Sequence, residues 1–382
     1  MLQYGEMSSP GRGAKDLTVL ATPFYFLAMF LEARTLKRRR RDATPSPADY
    51  ERRDTAASLV MGQLSLLAPL IMPRLLRPLA SGKGRLARRL LVVAVAVAGA
   101  ASVGDLIARR RARTLPSSDQ SADSAVPAPT SVVARAAGVA SVVAIGLGGV
   151  ALTSWWSYAL TPEKLHRRRI LPDAGDGVLA LCAAMLGWDL IYYWNHRFMH
   201  TRRYMWAMHV VHHSSERYNL STALRQPVAD VFTTPVPYGL LCLLGLRPET
   251  VATARGVNLL YQFWIHTETI GSMGSAEAVL NSPSAHRVHH GSNRQYLDRN
   301  HGGILIVWDR LFGTFEPEDE RVDYGLTKNI NSFNPLVIIG HEYAEMARDI
   351  ARADGWHDRL SHVVRGPGWQ PASKRIIHAT SA

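Results

Sequence analysis

Ten of the 15 histidines in this chain fall between His196 and His301, and their spacing is patterned. His196 and His200 form HxxxH; His209, His212 and His213 form HxxHH; His286, His289 and His290 form HxxHH again. His266 stands between the two triples, in the run Trp264–Ile265–His266–Thr267–Glu268. On a helix, residues at i, i+3 and i+4 leave from one face, so each HxxHH sends at least its first and last imidazoles the same way. An i, i+4 pair can grip one ion, as on the zinc-protease helix. The pair, the two triples and His266 supply nine imidazoles, whereas one tetrahedral ion takes four ligands at most. Nine candidates therefore call for two metal ions, each with room for an exogenous ligand.

All-nitrogen sites suit iron, zinc and copper alike. Zinc hydrolysis normally uses three protein ligands and a water, whereas oxidation of lipid by dioxygen needs redox iron, often paired. Ligand number and membrane setting together favour two Fe ions. A single HxxxH is common on ordinary helices, but two HxxHH runs and one HxxxH within 95 residues is not an ordinary core pattern. Haem ligation by two histidines leaves the doublets unexplained. A non-catalytic membrane metal-binding or transport protein is the rival reading from another class.

Such clusters need rigid helices to hold them, and the surrounding sequence reads as membrane helices. Ala136–Leu160 is 25 residues without a charge, roughly 37 Å as a helix against a hydrocarbon core of about 30 Å. Trp155, Trp156 and Tyr158 at its end suit an interface, and Lys164 and Arg167–Arg169 follow. Leu17–Ala33, Leu90–Ala108 and Gly177–Trp194 are further apolar segments, interrupted by Glu32, Asp105 and Asp189. Ser58–Met72, at 15 residues, is only about 22 Å long as a helix and too short to span. Val231–Leu246 contains Pro235 and Pro237, which predict a kink. Four to six crossings are expected, some as hairpins or half-insertions, because basic runs flank nearly every segment.

Composition is consistent with this. Forty-four Lys and Arg against 31 Asp and Glu give a net charge of +13, which suits an anionic partner. Each basic cluster abuts an apolar segment, which favours a membrane surface; the runs lack a reading helix or interleaved aromatics, and no nucleic-acid partner is expected. The two cysteines, Cys182 and Cys242, lie in apolar runs, so neither a disulfide framework nor an iron–sulfur module is expected. No cleavable signal peptide is evident in the polar first 16 residues. Lys37–Arg53, Thr114–Thr130 and the tail beyond Gly366 read as flexible. The expected division is 1–130, amino-terminal membrane helices and basic linkers; 131–335, the histidine-bearing core; and 336–382, a carboxy-terminal tail.

The run YYWNHRFMH at 192–200 resembles the fatty acid hydroxylase / sterol desaturase superfamily. MWAMHVVHHSSERYNLSTALRQ at 205–226 resembles, more narrowly, its alkylglycerol monooxygenase branch. FWIHTE at 263–268, NSPSAHRVHHG at 281–291 and VWDRLFGTFE at 307–316 continue the likeness, which covers roughly 177–331. The resemblance implies an all-α integral membrane helical bundle with a cytosol-facing, histidine-rich metal cap holding two iron ions. Carried over position by position, the ligands are His196, His200, His209, His212, His213, His266, His286, His289 and His290. His301 is left outside that set, since the family tolerates a tyrosine near there. Ile270 stands where some hydroxylases of the superfamily have a further histidine.

The implied reaction is hydroxylation of a lipid C–H bond with O2, next to an ether oxygen in a glycerol ether lipid. The product hemiacetal would separate into an aldehyde and a glycerol moiety. Sterol or fatty-acid hydroxylation or desaturation is the alternative within the superfamily. The branch implies tetrahydrobiopterin as reductant; no electron-carrier domain is fused to the chain, and a ferredoxin or cytochrome is an equal candidate external electron donor. Imidazole ligands are usually oriented by outer carboxylates. Asp189, two helical turns before His196, is a candidate for that role, as are Glu268 and Glu216, while Asp298 and Asn300 are placed to close the site beyond Gly291. Ser282–Pro283 predicts a helix start and Gly291 a stop, so the second triple should ride one short helix. Trp206, Trp264 and Trp308 are expected to pack around the cap.

Overall fold

The fold was analysed in a computed structural model, which describes residues 17–39, 46–80, 85–114, 132–228 and 235–371. Among them the chain is almost wholly helical; no strand forms, and two isolated bridges, Leu280 with Leu305 and Gly291 with Tyr324, are the sole β pairings. The helices are α1 (Leu17–Arg39), α2 (Arg52–Ala80), α3 (Arg85–Thr114), α4 (Val132–Ala159), α5 (Pro162–Arg167), α6 (Val178–Thr201), α7 (Arg203–His213), α8 (Pro235–Leu243), α9 (Pro248–Trp264), α10 (Pro283–His289), α11 (Val307–Phe312), α12 (Pro335–Arg352) and α13 (Trp356–Val364).

Four helices are long and apolar enough to cross a membrane: Leu17–Arg39, Arg85–Arg111, Val132–Thr153 and Val178–Thr201. They coincide with the four expected segments. Their polarity is inverted relative to a soluble bundle: Phe24, Phe30, Val92, Val95 and Leu179 face outward, while Glu32 is buried. Apolar surface of this extent on a lone soluble chain is a liability; in lipid it is the contact face. The short segment Ser58–Met72 lies within the 29-residue α2, which is not among those four. The kink expected at Pro235 and Pro237 falls at the edge of the described residues: α8 is described from Pro235 onward, and residues 231–234 lie outside them.

Of the stretches read as flexible, α1 continues to Arg39 and α2 begins at Arg52. Between them Ala48 is buried and the Tyr218 amide donates to the Pro47 carbonyl. Residues 40–45, 115–131 and 372–382 lie outside the described residues.

The chain divides into two compact units. The first takes in the chain up to Leu75, Ala159–Thr201 and Met205–His341. In it α6 packs on α8 and α9, and α1 packs on α9. Ala180, Ala184 and Trp188 of α6 meet Tyr238, Leu241 and Cys242 of α8 and Val251 and Ala254 of α9. Small residues let the helices approach closely: a Cβ on Gly187 would stand 2.6 Å from Leu241 Cδ2. Trp188 and Tyr238 stack with ring centroids 3.6 Å apart.

The second unit comprises Leu76–Tyr158, Arg202–Tyr204 and the chain from Glu342 on. Two buried arginines organise it. Arg359 of α13, 2% exposed, forks onto Asp105 of α3 through bonds of 2.5 and 2.9 Å. Arg203 at the head of α7 bonds Glu342 at 2.8 Å and Asp349 at 2.7 Å, both on α12. Removing one partner of a buried pair strands the other charge. Arg359→Leu should therefore cost about 3 kcal/mol and lower the unfolding midpoint of the detergent-purified protein by several degrees; an unchanged midpoint would show that Asp105 needs no partner.

Candidate metal centre

Four chain segments deliver the imidazoles. The last two turns of α6 carry His196 and His200, and the last two turns of α7 carry His209, His212 and His213. His266 lies just past the end of α9, where the Ile265 amide still bonds Phe263. The short α10 carries His286 and His289, with His290 as its C-cap. Its start is the expected one: the Ser282 hydroxyl accepts from the Ala285 amide at 3.1 Å, and proline occupies the first turn. Gly291 follows for reasons of space, since a Cβ there would lie 2.9 Å from the Tyr296 ring.

These nine side chains, all buried, collect into two groups. His196, His200, His209, His213 and His289 form one; His212, His266, His286 and His290 form the other. Within each group the ligand atoms lie within 4.8 Å of one another. Each HxxHH is split in one way: its first and last imidazoles share a group and its middle one crosses to the other, as the helical spacing requires. His213 and His290 link the groups, with ring centroids 4.4 Å apart.

The nitrogens are arranged for cations. His196 Nε2 stands 2.9 Å from His209 Nε2, and His213 Nε2 3.1 Å from the same atom. In the second group His266 Nε2 lies 3.2 Å from His212 Nε2 and 3.0 Å from His286 Nε2. Nitrogens bound about 2.0–2.1 Å from one ion at right angles are about 3 Å apart. Tautomers sharpen the point. His212 Nδ1 faces the Arg225 carbonyl at 3.3 Å, and His266 Nδ1 faces the Gln262 carbonyl at 2.7 Å. A carbonyl only accepts, so both protons sit on Nδ1 and the two Nε2 lone pairs point at each other. Likewise His196 Nδ1 donates to the His301 carbonyl and His289 Nδ1 to the Arg299 carbonyl, each at 2.9 Å. Among the described residues, Nε2 of His200, His289 and His290 is buried without a hydrogen-bond partner. An unpaired buried nitrogen costs about 1–3 kcal/mol, and an ion in each group would satisfy them together. The donor set therefore fits two metal ions.

Burial keeps the rings in the ligand-competent, neutral form. It holds His209, His212, His213, His286 and His290 well below the ordinary histidine range, helped by neighbouring imidazoles. Burial lowers His266 to about 4, and burial with the nearby His301 lowers His289 to about 3.

Carboxylates act one step out, and not where the sequence placed them. Asp189 does not touch His196. It accepts from the Ile304 and Leu305 amides, Asn258 Nδ2 and Trp308 Nε1 at 2.7–3.0 Å, pinning the strap that follows His301. Glu268 accepts from the Tyr324 hydroxyl; Tyr324 stacks on Tyr218, which lies against His266 and His290. Asn300, at φ 54°, bonds the Ala285 carbonyl and both backbone groups of Glu316, so it steadies α10 without meeting a ring. Asp298 lies 3.7 Å from His200 Nδ1, and Glu216 is exposed. Trp206 packs on His200 and His213, whereas Trp264 packs on Tyr261.

Sequence reasoning missed three carboxylates. Asp309 accepts from the His301 and Gly302 amides and the Thr314 hydroxyl, all at 2.7 Å, and so fixes the carbonyl that holds His196. Asp54 pairs with the buried Arg225 at 2.5 Å and accepts from Ser215, which fixes the carbonyl facing His212. Glu32 is the third. Only Asp309 had a local signal, its place in the VWDRLFGTF run. His301 is fully buried, 5.1–5.7 Å from the rings of His200, His196 and His289, with neither ring nitrogen hydrogen-bonded among the described residues.

The lowered histidines set the sign of a pH effect. Between about 4 and the free value of 6.5 the unfolded chain binds protons that the folded chain refuses, so stability rises with pH through that window and is complete above it. Taking the protein from pH 7.5 to pH 5 should lower its unfolding midpoint and strip bound metal in parallel; metal retained in full at pH 5 would contradict neutral imidazole ligation.

Comparison with known proteins agrees with this geometry. A model of the fatty acid hydroxylase family matches residues 181–314. Alkylglycerol monooxygenase from Homo sapiens is 48% identical over 194 residues, 51% of this chain and 43% of that protein. The Caenorhabditis elegans alkylglycerol monooxygenase is 36% identical over 48% of this chain and 38% of its own length. Ornithine lipid hydroxylase OlsE of Rhizobium tropici is 27% identical over 42% and 48%. The chain thus spans less than half the length of these relatives, and no solved structure matches it. All nine imidazoles fall within residues 181–314, the stretch of this chain that is similar to the fatty acid hydroxylase family.

Proposed function

We propose that this protein is an integral membrane, non-haem di-iron monooxygenase that hydroxylates a lipid C–H bond, with a glycerol ether lipid as substrate. The observation that carries the reading is the pair of groups of facing, proton-free Nε2 atoms at the end of a membrane helix. The substrate assignment draws on likeness to the alkylglycerol monooxygenases. Two irons held there would supply the redox chemistry for O2 to attack an unactivated carbon. In overall balance, the ether carbon's C–H, O2, two electrons and two protons give C–OH and water. The resulting hemiacetal breaks its C–O bond to leave an aldehyde and a free glycerol hydroxyl.

The chain's own part is placement. His196, His200, His209, His213 and His289 hold one ion, and His212, His266, His286 and His290 the other. The carbonyls of His301, Arg225, Gln262 and Arg299 fix ring direction. Asp189, Glu268 and Asn300 steady the straps around them. Residues 131–335 carry the whole ligand set, with 1–130 supplying membrane helices and 336–382 a tail. Arg197, Arg202 and Arg203 lie at the same end of α6 as His196 and His200, which by the positive-inside bias supports a cytoplasm-facing site. The electrons come from an external donor, tetrahydrobiopterin by analogy with the branch.

The match to the fatty acid hydroxylase model favours fatty-acid hydroxylation as a second reading, and one assay separates the two. Membranes containing the protein, given O2, reductant and an alkylglycerol or a free fatty acid, should release fatty aldehyde from the alkylglycerol. Hydroxylated acid without aldehyde would select the second reading, and oxygen uptake with neither lipid would defeat both. The purified protein should hold about two irons per chain. His212→Ala should lose metal and lower turnover by at least 10²-fold; a single tightly bound zinc and no lipid-dependent oxygen uptake would point to a non-catalytic metal protein.

A further inference from the structure

Glu32 sits within a helix long and apolar enough to cross a membrane, yet its carboxylate is buried inside the protein, at 6% exposure. An ionisable group in such a segment is expensive and is retained for a task. Its hydrogen bonds come from three separate stretches of chain. The Tyr50 hydroxyl donates to it from the α1–α2 connection at 2.5 Å. The Leu220 amide donates at 2.9 Å, seven residues beyond His213. The Thr267 hydroxyl donates from the position immediately after His266. Thr267 is itself buried, and its carbonyl accepts from Arg287 Nη1 at 3.0 Å, on the helix that carries His286 and His289. One carboxylate thus clamps the strap bearing His266 against the segment leaving α7. Thr267 adjoins His266 of the four-histidine group directly, whereas Leu220 stands seven residues from His213 of the other group, so the tight link is to the four-histidine site.

We propose that Glu32 is a positioning residue for the four-histidine site, which makes α1, outside the matched domain, part of the metal-binding apparatus. The inference rests on the metal-centre reading above and adds to it a selectivity between the two sites. A carboxylate that merely stabilised the fold would loosen both ions together. A clamp on the His266 strap loosens one. Loss of an outer partner typically costs 10–100-fold in metal affinity, so that range is expected at the four-histidine site alone.

The test uses the full-length protein purified in detergent with its iron and challenged with increasing EDTA. Glu32→Gln should release one of two irons per chain at 10- to 100-fold lower chelator concentration than the parent, while the second leaves at the parental concentration. Thr267→Val cuts the link to the strap, along with the local turn bonds to Thr269, and should give the same split with a smaller displacement; it serves if Glu32→Gln fails to fold. Parallel loss of both ions in the variants, or release curves that overlay the parent's, overturns the inference. A parent protein that holds no metal would instead overturn the metal-centre reading itself.

Discussion

The structure turns on an electrostatic conflict. Backbone carbonyls take the Nδ1 protons of His196, His212, His266 and His289, which forces bare Nε2 lone pairs into a pocket from which water is largely excluded. Lone pairs about 3 Å apart repel, and burial withholds the extra protons that could bridge them. A positive ion removes the conflict and a protein without one must bear it. The packing of α6, α7 and α10, the cap at Ser282 and the lowered basicity of the rings all serve this arrangement.

The nine imidazoles could be read from sequence because their geometry is local. The i, i+4 rule pairs His209 with His213 and His286 with His290 and sends His212 and His289 elsewhere, which is the split observed. The membrane helices were legible for a similar reason, since length and hydropathy act along a single segment.

The surrounding carboxylates were not legible. Asp54 meets Arg225 across 171 positions, and Glu32 meets Thr267 across 235; no periodicity carries such information. Asp189 was singled out as an outer partner of His196, and the structure gives it other partners. Its helical offset placed it on the face of His196, but four donors from α9, α11 and the 304–305 strap claimed its oxygens first. A buried carboxylate goes to whichever donors the tertiary fold brings, and amides are as good as imidazoles.

That the rings are aimed by main-chain carbonyls has an evolutionary corollary. A side-chain acceptor can be deleted by one codon change; a carbonyl cannot, because every residue type supplies one. The orientation of four imidazoles is thus insulated from point mutation at the positions that orient them, provided the backbone path is kept. Side chains around the nine imidazoles can then change while the rings themselves stay aligned, a division of labour between backbone and side chain.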